Sequence, residues 1–118
     1  MENIVLDLYT QVLQVLGSGE ELIDECEATT CYTIASLYKQ YRDNLYKVEG
    51  TFNGNGHFWC ELNGEIIDLS VEQFDVDFQY LLTKERKHLY VSNNKKQVNQ
   101  EIIEDSIHIA EISGFYIE

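Results

Sequence analysis

The chain has 118 residues, enough for one domain with a single core, and 44% of them are hydrophobic and 25% charged, as in ordinary globular proteins. Its 21 acidic and 8 basic residues give a formal net charge of −13, which argues against direct binding of nucleic acid or anionic membranes and favours cationic partners. No apolar run approaches the ~20 residues that span a bilayer, no signal peptide is recognisable and three cysteines cannot complete a disulfide framework, so we expect a cytoplasmic protein with reduced thiols.

Two helices are predicted before the first strand. Apolar residues recur at helical spacing over 4–16, and a Gly-Ser-Gly tripeptide ends this first helix. After an acidic connection, the hydroxyl of Thr29 or Thr30 can cap a second helix, which we expect to end near Asn44. Cys31 would then lie at the start of this helix, where free backbone N–H groups and the helix dipole favour a thiolate. The acidic residues Glu25 and Glu27, just upstream, would raise the pKa of the thiol and so disfavour the thiolate.

The middle of the chain has the pattern of antiparallel strands. Residues 46–53 predict one strand, and residues 56–68 predict a hairpin. The hairpin turns at Asn63-Gly64, the dipeptide that best tolerates the positive φ angles of a type I′ turn. In this register His57 and Asp68 lie diagonally across the ladder, with backbones about 7–8 Å apart, so the carboxylate can hold the imidazole. The side chains of His57, Trp59 and Glu61 share one face, and those of Phe58, Cys60 and Leu62 share the other.

The rest of the chain predicts one more helix and further strands. A third helix is expected over 71–82, and a strand over 88–91. Residues 93–97 are interpreted as a polar turn, and residues 107–117 as one or two short terminal strands. The predicted fold is therefore a single α+β domain over 1–118, with N-terminal helices packed on a small, mainly antiparallel β-sheet.

Three motifs follow one another over roughly residues 28–75. Cys31 opens a helix, His57-Phe58-Trp59-Cys60-Glu61 forms a strand, and Asp68-Leu69-Ser70 begins the next element, ahead of Gln73-Phe74. In order and spacing they resemble the papain-like and transglutaminase-like superfamily of cysteine hydrolases, in which a cysteine at a helix start precedes a His-x-Trp-x-Glu strand and an aspartate. Ser70 stands where many relatives have threonine.

The resemblance implies a papain-like/transglutaminase-like core and acyl transfer through a covalent acyl-cysteine, on a peptide, amide or thioester substrate. It implies that Cys31 is the nucleophile, that His57 is the general base and that Asp68 orients the imidazole. The acidic composition favours a cationic peptide or protein as the substrate, and neither a cofactor nor a metal is expected. The residues expected to support the substrate site are Trp59, Glu61 and Gln73.

Each of these residues also has a purely structural interpretation. Free cysteines are most often small buried hydrophobes, a strand histidine can simply shape a turn, and Asp68 can cap the helix that follows it. A tetrahedral zinc site built from Cys26, Cys31, His57 and Cys60 is disfavoured, because strand alternation sends His57 and Cys60 to opposite faces.

A second functional hypothesis comes from the charge. A non-catalytic, acidic inhibitor or binding protein, of the kind that viruses encode, would use its acidic surface to block a basic or nucleic-acid-binding host protein. The two hypotheses differ in whether Cys31 is reactive. The sequence leaves the substrate, the partner and the oligomeric state open.

Overall fold

Three helices and four strands account for most of residues 2–71 and 87–117, the part of the chain that the computed structural model describes. The strands form one antiparallel sheet in the order β3-β2-β1-β4, so the α+β class is confirmed. The helices are α1 (Glu2–Val15), α2 (Cys26–Tyr41) and α3 (Gln100–Ile112), and the strands are β1 (Leu45–Phe52), β2 (Asn55–Leu62), β3 (Glu65–Ile67) and β4 (Tyr90–Gln97).

The first helix ends where the sequence predicts, but α2 begins earlier than expected. Asp24 takes a positive φ of 66°, a conformation that aspartate tolerates better than most residues, and the chain turns there into the helix. The N–H of Thr29 already donates to the carbonyl oxygen of Glu25 at 3.0 Å, as in a regular helix. The Thr29 hydroxyl donates to the carbonyl of Cys26 at 3.2 Å, inside the helix. The expected cap at Thr29 or Thr30 is therefore wrong, and Cys26 is the first helical residue.

The hairpin has the predicted turn and register. Asn63 and Gly64 take φ values of 53° and 81°, and Leu62 pairs with Glu65. Cys60 pairs with Ile67, after which the ladder ends and the chain continues into Asp68. This pairing fixes the position of Asp68 relative to β2.

The C-terminal third differs from the prediction. Residues 93–97, expected as a turn, belong to β4, which pairs with β1. Residues expected as terminal strands lie mostly in α3, whose start is capped by the Asn99 side chain accepting from the N–H of Ile102 at 2.8 Å. Local pattern predicts a turn for the polar stretch and strands for the isoleucine-rich stretch. Pairing with β1 and the asparagine cap instead make the first a strand and most of the second a helix. The third predicted helix, over 71–82, falls almost entirely outside the described residues.

The hydrophobic core joins the three helices to the sheet, and α2 packs against both α3 and β2. Tyr32 on α2 stacks on Phe115 with ring centroids 4.0 Å apart, which ties the C-terminal segment to the centre of the molecule. None of the helices within residues 2–71 and 87–117 has the length and apolar character needed to span a bilayer. The fully buried core includes Val12, Ile34, Leu45, Leu62, Ile67 and Ile103.

Candidate active site

The hairpin brings His57 and Asp68 into direct contact, as its register predicts. Nε2 of His57 lies 2.6 Å from Oδ2 of Asp68. Both residues are only 2% exposed, so the pair is shielded from solvent. A short contact between a buried imidazole and a buried carboxylate is charge-assisted, because the low surrounding dielectric strengthens it.

The carboxylate of Asp68 accepts three further hydrogen bonds. Its Oδ1 accepts from the backbone N–H and from the hydroxyl of Ser70, both at 3.2 Å. Its Oδ2 also accepts from the hydroxyl of Tyr90 at 2.7 Å. Asp68 therefore shapes the turn after β3 and holds the imidazole at the same time. Tyr90 was not expected at this site, since nothing in the local sequence links β4 to Asp68.

Aromatic rings enclose the imidazole. Trp59 stacks against His57 with ring centroids 5.9 Å apart and an interplanar angle of 29°. Phe52 and Tyr90 lie 6.5 Å from the same ring. Trp59 is thus beside His57, as predicted for a supporting residue, and the aromatic shell keeps water away from the ion pair.

The thiol next to the imidazole belongs to Cys26, not to Cys31. Cys26 is among the groups that raise the pKa of the His57 imidazole, through a side-chain interaction, and Cys31 is not among them. Cys26 is half-buried and is the first residue of α2, where the backbone N–H groups of the first turn have no intrahelical acceptor. Because Asp68 occupies Nε2, Nδ1 is the ring nitrogen through which His57 can exchange a proton with this thiol.

Cys31 occupies a different environment. Five residues beyond Cys26, it is rotated by about 140° around the helix axis and displaced by about 7.5 Å along it. Its thiol is fully buried beside the Ser106 hydroxyl of α3 and close to Cys60. Burial raises the pKa of Cys31, with smaller opposing effects from Lys47 and Ser106. The predicted helix start at Cys31 is wrong, and this residue lies inside α2 with its side chain buried in the core.

Opposing effects set the charge of His57. Burial by itself lowers the pKa of the imidazole, but the charge and hydrogen bond of Asp68, followed by the interaction with Cys26, raise it more. The result is a pKa of about 9 instead of 6.5. His57 is therefore an imidazolium at neutral pH, held between a carboxylate and a thiol.

Glu61 and Gln73 are also expected to support the substrate site, but no contact among the described residues links either of them to His57 or Asp68. Glu61 lies on the same strand as His57, but its carboxylate pairs with Nζ of Lys95 at 3.2 Å. This ion pair links β2 to β4 across β1 and provides a structural role for Glu61. Gln73 lies outside the described residues.

The suggested zinc ligands do not converge. In the β1–β2 register His57 pairs with Gly50 and Cys60 with Lys47, which puts the two side chains on opposite faces of the sheet. The Sγ of Cys60 faces α2 and lies 3.7 Å from the carbonyl oxygen of Thr30. Among the residues that the structure describes, no group of three or more metal-ligating side chains comes together.

The raised pKa of His57 predicts a pH-dependent stability. A group whose pKa is higher in the folded than in the unfolded chain stabilises the fold fully below its unfolded value and loses that effect as the pH passes its folded value. The free energy of unfolding should therefore fall by on the order of 1–3 kcal/mol between pH 6.5 and about 9. Urea unfolding across this range tests it, with His57→Gln as the variant that should lack the fall. An equal fall in both proteins would contradict this prediction.

His57, Asp68, Tyr90 and Cys26 thus form one polar cluster built from the start of α2, the hairpin and the start of β4. The cluster combines a thiol, an imidazole and a carboxylate, the types of group that cysteine-dependent acyl transfer requires. The chain matches no protein-family model, no curated protein and no solved structure.

Proposed function

We propose that the chain is a cysteine-dependent acyl-transfer enzyme in which Cys26 is the nucleophile, His57 the general base and Asp68 the group that orients the imidazole. The observation that supports it best is the buried imidazole between a carboxylate at 2.6 Å and a half-buried thiol at a helix N-terminus. Titratable groups with strongly shifted pKa values and a specific charge partner cluster at functional sites, which favours a catalytic role for this cluster.

In the proposed reaction, the reactive form is the ion pair in which the Cys26 proton already resides on Nδ1 of His57, and the thiolate sulfur attacks the carbonyl carbon of the substrate. The tetrahedral intermediate collapses as the imidazolium donates that proton to the leaving amine or thiol, and an acyl-Cys26 thioester remains. Water or an amine then attacks the thioester carbonyl, giving its proton to His57. Collapse of this second intermediate breaks the carbon–sulfur bond, releases the acid or amide, and leaves the Cys26 thiolate beside the His57 imidazolium. Asp68 stabilises the imidazolium throughout.

The start of α2 suits the charge that this reaction develops. Backbone N–H groups in the first turn are without intrahelical acceptors and point toward the end of the helix at which Cys26 lies. They can donate to the oxyanion of the tetrahedral intermediate, and the helix dipole favours negative charge at this end. The same residue thus supplies the nucleophile and lies next to the donors.

The proposal keeps the resemblance to the papain-like/transglutaminase-like superfamily but assigns the nucleophilic cysteine of its first motif to a different residue. Cys26, instead of Cys31, is the cysteine that opens a helix, ahead of the His-x-Trp-x-Glu strand and Asp68. Acidic side chains at Asp24, Glu25 and Glu27 flank this cysteine. A peptide or protein substrate with positive charge near the reacting carbonyl fits that surrounding best.

Brief alkylation by iodoacetamide at pH 7 tests the nucleophile. Cys26 should be labelled at least about tenfold faster than Cys31 or Cys60, because a nearby imidazolium stabilises the thiolate while burial protects the other two. His57→Gln should slow labelling of Cys26. His108→Gln, at an exposed position of α3, should leave the rate unchanged.

Mass spectrometry of the peptides gives the three rates separately. Greater exposure alone would make the alkylation of Cys26 faster than that of Cys31 in every variant. The deciding comparison is therefore the rate of Cys26 alkylation in His57→Gln against the rate in the wild type. Equal rates of Cys26 labelling in those two proteins would contradict the role of His57. Cys31→Ala is the matched cysteine control and should leave the Cys26 rate unchanged.

The acidic binding protein is the second candidate function. Exposed acidic side chains occur on α3 at Glu101, Glu104 and Asp105, on a helix that supplies no residue of the polar cluster. If this surface is the functional part, Cys26→Ala should keep function, while neutralising these three residues should weaken it. Raised salt should weaken it as well, because charges at an exposed surface are screened over about 10 Å at 0.1 M.

A further inference from the structure

A β-bulge determines which face of the sheet Tyr90 occupies. In β4, Lys95 pairs with Val48 and Asn94 with Glu49, but the next pair is Ser92 with Gly50, so Asn93 has no partner in β1. Residues five apart on a regular strand point to opposite faces. The extra residue shifts this alternation, so Tyr90 joins Lys95 on the face that also carries His57.

The ring of Tyr90 is held in place by other aromatic side chains. It meets Phe52 and Trp59 edge to face, in both cases with ring centroids 4.9 Å apart and an interplanar angle of 70°. Tyr90 also pairs with Phe52 in the β1–β4 ladder. These contacts fix the direction of the phenol hydroxyl toward Asp68.

The hydroxyl of Tyr90 and the imidazole of His57 share one oxygen atom. Oδ2 of Asp68 lies 2.7 Å from the phenol oxygen and 2.6 Å from Nε2 of His57, while Oδ1 is occupied by Ser70. We propose that Tyr90 is a positioning residue of this site, which fixes the carboxylate and limits how strongly Asp68 binds the imidazolium of His57.

The physical reason is the competition of two donors for one acceptor. The phenol draws negative charge toward its own proton, and its dipole presents its positive end to the neighbouring imidazolium. Removing the hydroxyl should leave more charge on Oδ2 for His57 and should make the imidazolium harder to deprotonate. Asp68 itself and the thiol of Cys26 also act on His57. The catalytic meaning of this effect rests on the proposed function, but the effect itself does not.

Tyr90→Phe tests the proposal by NMR titration of the His57 ring, because this variant removes only the hydroxyl. The titration midpoint of His57 should rise by at least about 0.5 pH units relative to the wild type. Tyr46→Phe is the matched control, since Tyr46 lies on β1 and its ring contacts Lys95 at 4.9 Å. Its midpoint should equal that of the wild type. Ser70→Ala removes a donor from the other oxygen and should give a smaller rise.

An unchanged midpoint in Tyr90→Phe, or a rise no larger than in Ser70→Ala, would overturn the proposal. Thermal unfolding of each variant separates this effect from a loss of folded structure. Tyr90→Leu, which also lacks a donor to Asp68, serves as a second test if Tyr90→Phe is unfolded. The readout needs no substrate. If Cys26 fails to react with iodoacetamide, the result counts against the proposed enzyme. The role of Tyr90 toward Asp68 is still decided by the titration of His57.

Discussion

Asp68→Asn should lower the titration midpoint of His57 from about 9 to below 6.5. Asparagine keeps the shape of the side chain but removes the negative charge, so the effect of burial, which disfavours the imidazolium, becomes the dominant one. Labelling of Cys26 by iodoacetamide at pH 7 should fall at least about tenfold, because the thiolate loses its cationic neighbour. NMR titration of the imidazole and the labelling rate measure the two effects separately.

The same substitution should destabilise the fold by about 3–5 kcal/mol where His57 is charged in the wild type, since a buried ion pair loses one partner. The difference between variant and wild type should shrink as the pH rises above about 9, where the wild-type imidazole is neutral as well. Asp43→Asn, at an exposed position before β1, is the control and should change neither quantity. A His57 midpoint that stays near 9 in Asp68→Asn would contradict the assigned ion pair.

Gly50→Ala should lower the free energy of unfolding by at least about 3 kcal/mol. Gly50 lies on β1 opposite His57. A Cβ atom there would clash with the carbonyl oxygen of Val91 and lie 2.8 Å from Cη2 of Trp59. The obstruction is partly backbone on the neighbouring strand at the bulge, so it cannot be relieved by a rotamer change. Denaturant unfolding measures the loss, and the emission of Trp59, the single tryptophan of the chain, reports whether the ring moves.

Gly56→Ala is the matched control for this prediction. Gly56 is exposed on β2, and a Cβ atom there would meet nothing within 4 Å. The change in unfolding free energy should stay within about 1 kcal/mol, because the substitution only restricts the unfolded chain. If both alanine variants have the same stability, the close approach of β4 to Gly50 does not constrain the sheet.

The geometry of the hairpin is the part of the candidate site that the sequence predicted best. Asn63-Gly64 selects a two-residue turn, the turn sets the register, and the register puts His57 diagonal to Asp68. All of these steps act within residues 57–68. Local backbone preference and strand alternation are therefore sufficient to predict the contact.

The identity of the neighbouring thiol depended on where α2 begins. Two threonines in a row are a plausible cap, but Asp24 turns the chain earlier, and the hydroxyl of Thr29 donates within the helix instead. Positions five residues apart on a helix differ by about 140° around its axis. With the helix starting at Cys26, this residue, and not Cys31, lies beside His57. Capping preferences are worth only about 1 kcal/mol, so packing of α2 against α3 and the sheet outweighs them.

By itself, the sequence determined the α+β class, the first helix, the hairpin and the contact between His57 and Asp68, because each follows from periodicity or turn chemistry within a short stretch. Only the tertiary structure decided that Cys26 lies beside the imidazole and that Tyr90 donates to Asp68. The first depends on how α2 packs, and the second on a bulge that forms only when β4 pairs with β1. Interactions between residues dozens of positions apart leave no local pattern, since the sheet and the core, rather than the neighbouring residues, select them.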